Sequence, residues 1–170
     1  MRRRRDGPGH DRGATQLTRI LFVCLGNICR SPTAEGVMRG LVREQGRDDE
    51  IEVESAGTGD WHIGDPPDAR ATEAAARRGV TLAGASRQIR PADFADFDLI
   101  VAMDRRNLRD LCALAPDDAA VAKVRLLRSY DPASAGAELD VPDPFYGESR
   151  GFETVLDNVE AACRGLLAQL

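Results

Sequence analysis

Lysine is almost missing from this chain: Lys123 stands alone, and the rest of the 23 basic side chains are arginine. Without a Gly-Lys-Ser or Gly-Lys-Thr element, a nucleoside-triphosphate loop is excluded. Histidine is nearly as scarce. His10 and His62 do not combine with Cys24, Cys29, Cys112 and Cys163 into a zinc set, and these cysteines do not indicate a disulfide-stapled secreted fold. No apolar run approaches the length of a membrane span, and the first twenty residues lack the apolar stretch of a signal peptide. The expectation is a cytoplasmic, monomeric protein with no metal, no cofactor and no membrane partner. A net charge of −5 argues against a general nucleic-acid binder, although Met1 to Arg5 is locally basic. Residues 1–18, rich in Arg, Gly and Asp, read as a disordered extension; a tail for nucleic acid or an acidic surface is the alternative. Residues 19–170 suffice for one domain with a single core.

What the chain does have is the stretch Val23-Cys24-Leu25-Gly26-Asn27-Ile28-Cys29-Arg30-Ser31-Pro32. It follows an apolar strand, Ile20 to Val23, and leads into a helix for which Ser31 serves as N-cap and Pro32 as first helical residue. Gly26 and Asn27 supply positive backbone φ. Backbone N–H groups of such a loop, followed by a helix N-terminus, make a site for an anion. Arg30 returns to the rim with a planar fork that matches two phosphoryl oxygens. The cysteine–five residues–arginine spacing alone is weak in so arginine-rich a chain; the strand, turn and helix signals around it carry the weight.

Apolar positions Ala34, Val37, Met38, Leu41 and Val42 place a helix from about Pro32 to Gln45. Ile51 to Ser55 alternates as a second strand and runs into a loop at Ala56-Gly57-Thr58-Gly59. A second helix spans Asp68 to Arg78, closed by Gly79. Val80 to Pro91 gives mixed signals. Asp98 to Met103 is a short continuous apolar strand of the kind buried on both faces of a parallel sheet, and a helix follows Asp104 through Leu108 and Leu111. Ala122 to Leu127 is the fourth strand, Ser129 to Gly147 is rich in turns, and a last helix carries an apolar stripe from Phe152 to Leu170 with Cys163 on it. Strands alternating with helices define an α/β fold: a three-layer sandwich with a four-stranded parallel sheet, ligands at the carboxyl ends of the strands and the phosphate-binding loop after the first strand.

The segment Cys24 to Ser31 resembles the catalytic loop of the low-molecular-weight protein tyrosine phosphatases at every position. The likeness continues through Ser55-Ala56-Gly57-Thr58, Trp61, Asp104-Arg105-Arg106-Asn107-Leu108 and Asp143-Pro144-Phe145-Tyr146-Gly147. It implies a phosphotyrosine phosphatase with phosphotyrosine-containing proteins as its substrates. Leu25, Gly26, Asn27, Ile28, Cys29, Arg30 and Ser31 would bind the phosphate. Asn27, Ser31, Ser55 and Asp104 would support the loop, Ser55 by steadying Asn27. Trp61, set among polar and turn-forming residues, makes sense as a wall for an aromatic substrate, and the resemblance assigns it that place. Ile28, Phe145 and Tyr146 would complete the pocket. His62, with no partner in sequence, reads as surface.

Cys24 is the expected nucleophile, attacking phosphorus in line and forming a phosphocysteine. Arg30 clamps the equatorial oxygens as the transition state forms. The leaving phenolate needs a proton, and Asp65, Asp131 and Asp143, each followed by proline, compete to give it. Aromatic neighbours favour Asp143, and the resemblance selects it. Cys29 reads either as a buried loop residue or, by resemblance, as a redox partner that traps oxidised Cys24 in a reversible disulfide.

Three rivals stay in view. An arginine phosphatase of the same fold would carry threonine at Ile28, although Phe145 is a residue it often has. A thioredoxin-coupled arsenate reductase needs two further relay cysteines, and Cys112 and Cys163 lie far apart. A non-catalytic phosphotyrosine-binding module would have lost the nucleophile or the acid. Whether a tyrosine kinase acts on Tyr146 is open.

Overall fold

The computed structural model describes residues 16–134 and 138–170. Most of the N-terminal segment read as an extension lies outside them. The chain runs β1 (Thr18–Cys24), α1 (Arg30–Glu44), β2 (Ile51–Gly57), α2 (Ala69–Arg77), α3 (Asp93–Asp96), β3 (Leu99–Ala102), α4 (Arg105–Leu114), α5 (Asp118–Val121), β4 (Val124–Leu126), two 3-10 turns (Leu127–Tyr130 and Pro132–Ser134) and α6 (Arg150–Leu167). The four strands pair in parallel in the order β2-β1-β3-β4. The expected α/β class therefore holds. Among the described residues no helix is long and apolar enough to cross a membrane.

The central strand β1 is apolar on both faces because it is covered on both. Ile20, Phe22 and Cys24 pack under α1 and α6, whereas Leu21 and Val23 face the layer of α3, α4 and α5. Strand order switches between β1 and β3, since β2 is added on one side of β1 and β3 and β4 on the other, and the crevice outside the carboxyl ends at that point is where ligands of such sheets bind. Cys24 is the last residue of β1. Position in the topology thus brings the loop to the crevice before any side chain is considered.

Differences from expectation have local causes. The first strand starts at Thr18, inside the segment expected to be disordered, because Thr18 N–H donates to Glu50 O and residues 18–24 pair in register with 51–57. β2 likewise continues through Ala56 and Gly57, which read as loop. Two short helices, α3 and α5, carry no readable periodicity. α5 is instead fixed by Asp117, whose carboxylate accepts from Ala120 N–H at 2.8 Å. Asp68 caps α2, accepting from the N–H groups of Arg70 and Ala71, and Gly79 at φ +75° ends that segment in the left-handed region as foreseen.

Candidate active site

Residues 24–31 wrap the end of β1, and the loop's shape rests on Asn27, at φ +56° the one non-glycine residue at positive φ among those described. Asparagine tolerates this region because its short amide bonds locally. Here Asn27 Oδ1 accepts from Arg87 N–H at 3.0 Å, while Nδ2 donates to Ser31 Oγ at 2.8 Å and Ser55 Oγ at 3.0 Å. Ser55 Oγ in turn donates to Glu35 Oε2 at 3.1 Å. Burial raises the Glu35 carboxyl above the ordinary range, with Arg39 and the Ser55 hydrogen bond opposing. The inner edge of the loop is therefore pinned to β2 by one amide.

Two expectations for this loop need correction. Gly26 is not at positive φ; a Cβ there would sit 3.1 Å from the His62 ring, a tight contact to which the ring would have to yield. Ser31 is not the N-cap either. Helix α1 begins at Arg30 with Cys29 as its cap residue, and Pro32 is third in the helix, still within the turn whose N–H groups have no helical acceptor. The Ser31 hydroxyl is drawn inward instead. It lies 3.0 Å from Cys24 Sγ and, with its oxygen already accepting from Asn27, has its hydrogen free for the sulfur or for Ala56 O at 3.3 Å. Asn27 N–H also points at the sulfur from 3.3 Å. Both donors, and the N-terminus of α1, suit an anionic sulfur.

Gly57 explains how closely β2 approaches. A Cβ there would meet Leu25 O at 2.8 Å and Asn27 N at 3.2 Å. Just beyond it, Thr58 N–H and Gly59 N–H donate to Cys24 O and Leu25 O, both at 2.9 Å, so the strand's continuation ties down the outer half of the loop.

Arg30 is buried, at 3 % exposure, and held along one edge. Its Nη1 donates to Asp104 Oδ2 at 2.5 Å and to Val141 O at 3.0 Å, and its Nη2 lies 3.5 Å from Asp143 Oδ2. Burial works against the guanidinium's charge, but Cys24, Asp104 and Asp143 outweigh it and hold the group above its ordinary value. Asp104 uses its second oxygen to cap α4, accepting from Asn107 N–H at 2.7 Å. The two readings of Asp104, cap and support, are both true of it.

A cavity of about 400 Å³ opens over these groups, lined by Cys24, Leu25, Gly26, Ile28, Cys29, Arg30, Trp61, His62, Asp143, Phe145 and Tyr146. Asn27 and Ser31 stand behind it, at 3 % and 0 % exposure, and act through their hydrogen bonds. Trp61 is 68 % exposed, its ring lying over Gly59, so it is a wall and not a core residue. Phe145 and Tyr146 meet edge to face, their ring centroids 4.8 Å apart. Of the three Asp-Pro aspartates only Asp143 reaches the cavity. Asp65 lies 3.2 Å from His62 Nδ1, and Asp131 accepts from Ala133 N–H in a distant turn.

Sequence reasoning missed two participants. His62, read as surface, is clamped by Asp65 and tilted against Phe145 with centroids 6.0 Å apart, which makes it part of the wall. Its position beside Trp61 was the available signal. Arg70 donates to Phe145 O at 3.1 Å and stacks over the rings of Phe145 and Phe152, tying the segment after Asp143 to α2. Nothing local in sequence marks that long-range contact. Cys163 is buried in the layer under α6 and Cys112 packs on the opposite face of the sheet, so the two cannot relay a disulfide between them.

A parallel α/β sheet with a buried cysteine and arginine sharing one loop at its crevice defines a class of thiol-dependent phosphoryl-binding proteins. Residues 19–170 match the model of the low molecular weight phosphotyrosine protein phosphatases. A low molecular weight protein-tyrosine-phosphatase of Streptomyces coelicolor is 53% identical over 150 residues, 88% of this chain and 92% of that one. Among solved structures, a protein tyrosine phosphatase from Entamoeba histolytica superposes with a TM-score of 0.85 at 36% identity, covering 89% of this chain and 96% of its own. A Drosophila arginine phosphatase superposes with a TM-score of 0.82 at 32% identity, covering 88% and 96%. The chain belongs to the low molecular weight phosphotyrosine protein phosphatase family.

Proposed function

We propose that this chain hydrolyses phosphotyrosine in proteins through a phosphocysteine intermediate, with Cys24 as nucleophile, Arg30 as phosphoryl clamp and Asp143 as general acid and then base. The observation that carries the reading is the meeting of a donor-flanked sulfur, a buried guanidinium and a carboxylate under aromatic walls in one cavity. The sulfur attacks phosphorus from the floor while Arg30 and the N–H groups of the loop take the equatorial oxygens. A bound phosphoryl group occupies the free edge of Arg30, and Asp143 turns to the departing phenolic oxygen to protonate it. The same carboxylate then takes a proton from water attacking the phosphocysteine. The reading is of a monomer, and four free thiols suit a reducing compartment such as the cytoplasm. Tyr146, at 95 % exposure, presents its hydroxyl to a tyrosine kinase.

The test is phosphate release from matched phosphotyrosine, phosphoserine and phosphoarginine peptides in the presence of chelator. Phosphotyrosine turnover is expected, slowed roughly 10²–10⁴-fold in Asp143→Asn. Preference for phosphoarginine would overturn the reading of Ile28 as part of a phosphotyrosine pocket.

We also infer a redox role for Cys29. Its thiol is pushed up to about 12 by burial first, then by the charges of Asp68, Cys24 and Asp143, with Arg70 opposing. Peroxide converts the Cys24 thiolate to a sulfenic acid, which removes one of those charges. The Cys29 thiol then displaces water from the sulfenic sulfur, and the resulting disulfide is reopened by a dithiol. Peroxide-treated wild type is expected to recover with dithiothreitol and Cys29→Ser to recover only a minor part. Equal recovery of the two would remove the role.

A further inference from the structure

A second groove, of about 380 Å³, lies on the far side of Trp61 from the catalytic cavity. The two hollows share Leu25 and Trp61, so the indole is the ridge between them. The far wall is one face of α4, where Arg106, Asp110 and Leu114 follow at intervals of four residues, and Gln88 lies among the other lining residues. α4 starts directly after Asp104, the residue that holds Arg30, so its first turn is delivered to the rim of the site.

The charge there is unspent. Arg30, Arg70, Arg78 and Arg87 all hold carboxylates, whereas Arg105, Arg106 and Arg109 form no ion pair among the described residues. The N-terminus of α4 is itself occupied by carboxylates, Asp104 accepting from Asn107 N–H at 2.7 Å and Asp140 from Arg105 N–H at 2.9 Å, so the free charge is that of the arginine side chains alone. Asp110 is the one carboxylate lining the groove, a full turn further on.

We propose that this groove is a second substrate subsite, which takes a carboxylate side chain flanking the phosphotyrosine and selects it through Arg106. The inference rests on the phosphotyrosine reading above. A peptide whose phosphotyrosine descends into the cavity leaves its backbone at the rim, where residues advance by about 3.3 Å each in extended form. A neighbouring side chain then passes over Trp61 and comes down in the groove. Its stem packs on Trp61 and Leu114, both exposed, and its carboxylate meets the planar fork of Arg106.

The test is kcat/KM for phosphotyrosine peptides in which each of the three positions on either side carries glutamate, glutamine or lysine in turn, with p-nitrophenyl phosphate alongside. Ratios are taken within each variant, so any general change in activity cancels. At one position wild type is expected to prefer glutamate to glutamine by about fivefold, less at high salt, as an exposed ion pair allows. Arg106→Glu is expected to invert that order in favour of lysine at the same position. A wild type that turns over p-nitrophenyl phosphate with no position preferring glutamate would overturn the subsite alone, as would a preference that survives Arg106→Glu. No turnover of p-nitrophenyl phosphate would overturn the catalytic reading, and the subsite with it.

Discussion

Cys24→Ser is expected to abolish turnover of phosphotyrosine, by roughly 10⁴-fold or more, while leaving the phosphopeptide bound. A serine oxygen keeps the contacts that shape the loop, since Ser31 Oγ and Asn27 N–H lie 3.0 and 3.3 Å from the atom it replaces. It lacks the reactivity. A hydroxyl is a far weaker acid than a thiol, and the carboxylate of the cavity, Asp143, is held against Arg30 at 3.5 Å. The site then holds a phosphoryl dianion over an inert group. Single-turnover kinetics together with calorimetric binding of a phosphotyrosine peptide separate the two effects. Residual activity above a tenth of wild type would show that some other group opens the ester.

Arg30→Lys is expected to lower kcat by roughly 10³-fold, although it keeps the charge. The guanidinium divides its fork. One edge is committed to Asp104 and Val141 O, which fixes the group, and the other faces Asp143 and the cavity. An ammonium can satisfy Asp104 or reach the phosphoryl oxygens, but has no rigid plane with which to do both. Thermal stability should move little, because Asp104 keeps a cation beside it. A kcat within tenfold of wild type would mean that the backbone of the loop, and not the arginine, stabilises the transition state.

Much of this site was readable in advance because its chemistry sits in one contiguous stretch. Cys24, Arg30 and the strand-to-helix change around them are local facts, and topology did the rest by placing the end of β1 at the crevice. Misreadings arose where a tertiary partner outbid a local one. Ser31 has the composition of an N-cap, yet the sulfur and Asn27 claim its hydroxyl. His62 is polar and beside a turn, yet Asp65 and Phe145 hold it in the wall. Arg70 gave no sign at all, since its partner Phe145 lies 75 residues away. α3 and α5 are four residues long, too short for a periodic pattern to show.

Asn27 carries one more consequence. With its left-handed backbone, both sides of its amide in use and β2 bonded along the loop's outer half, residues 24–31 have their shape before any anion arrives. The ordering entropy of an anion cradle was met during folding, so substrate encounters a rigid mould, and its binding free energy is left for alignment of the phosphorus above the sulfur.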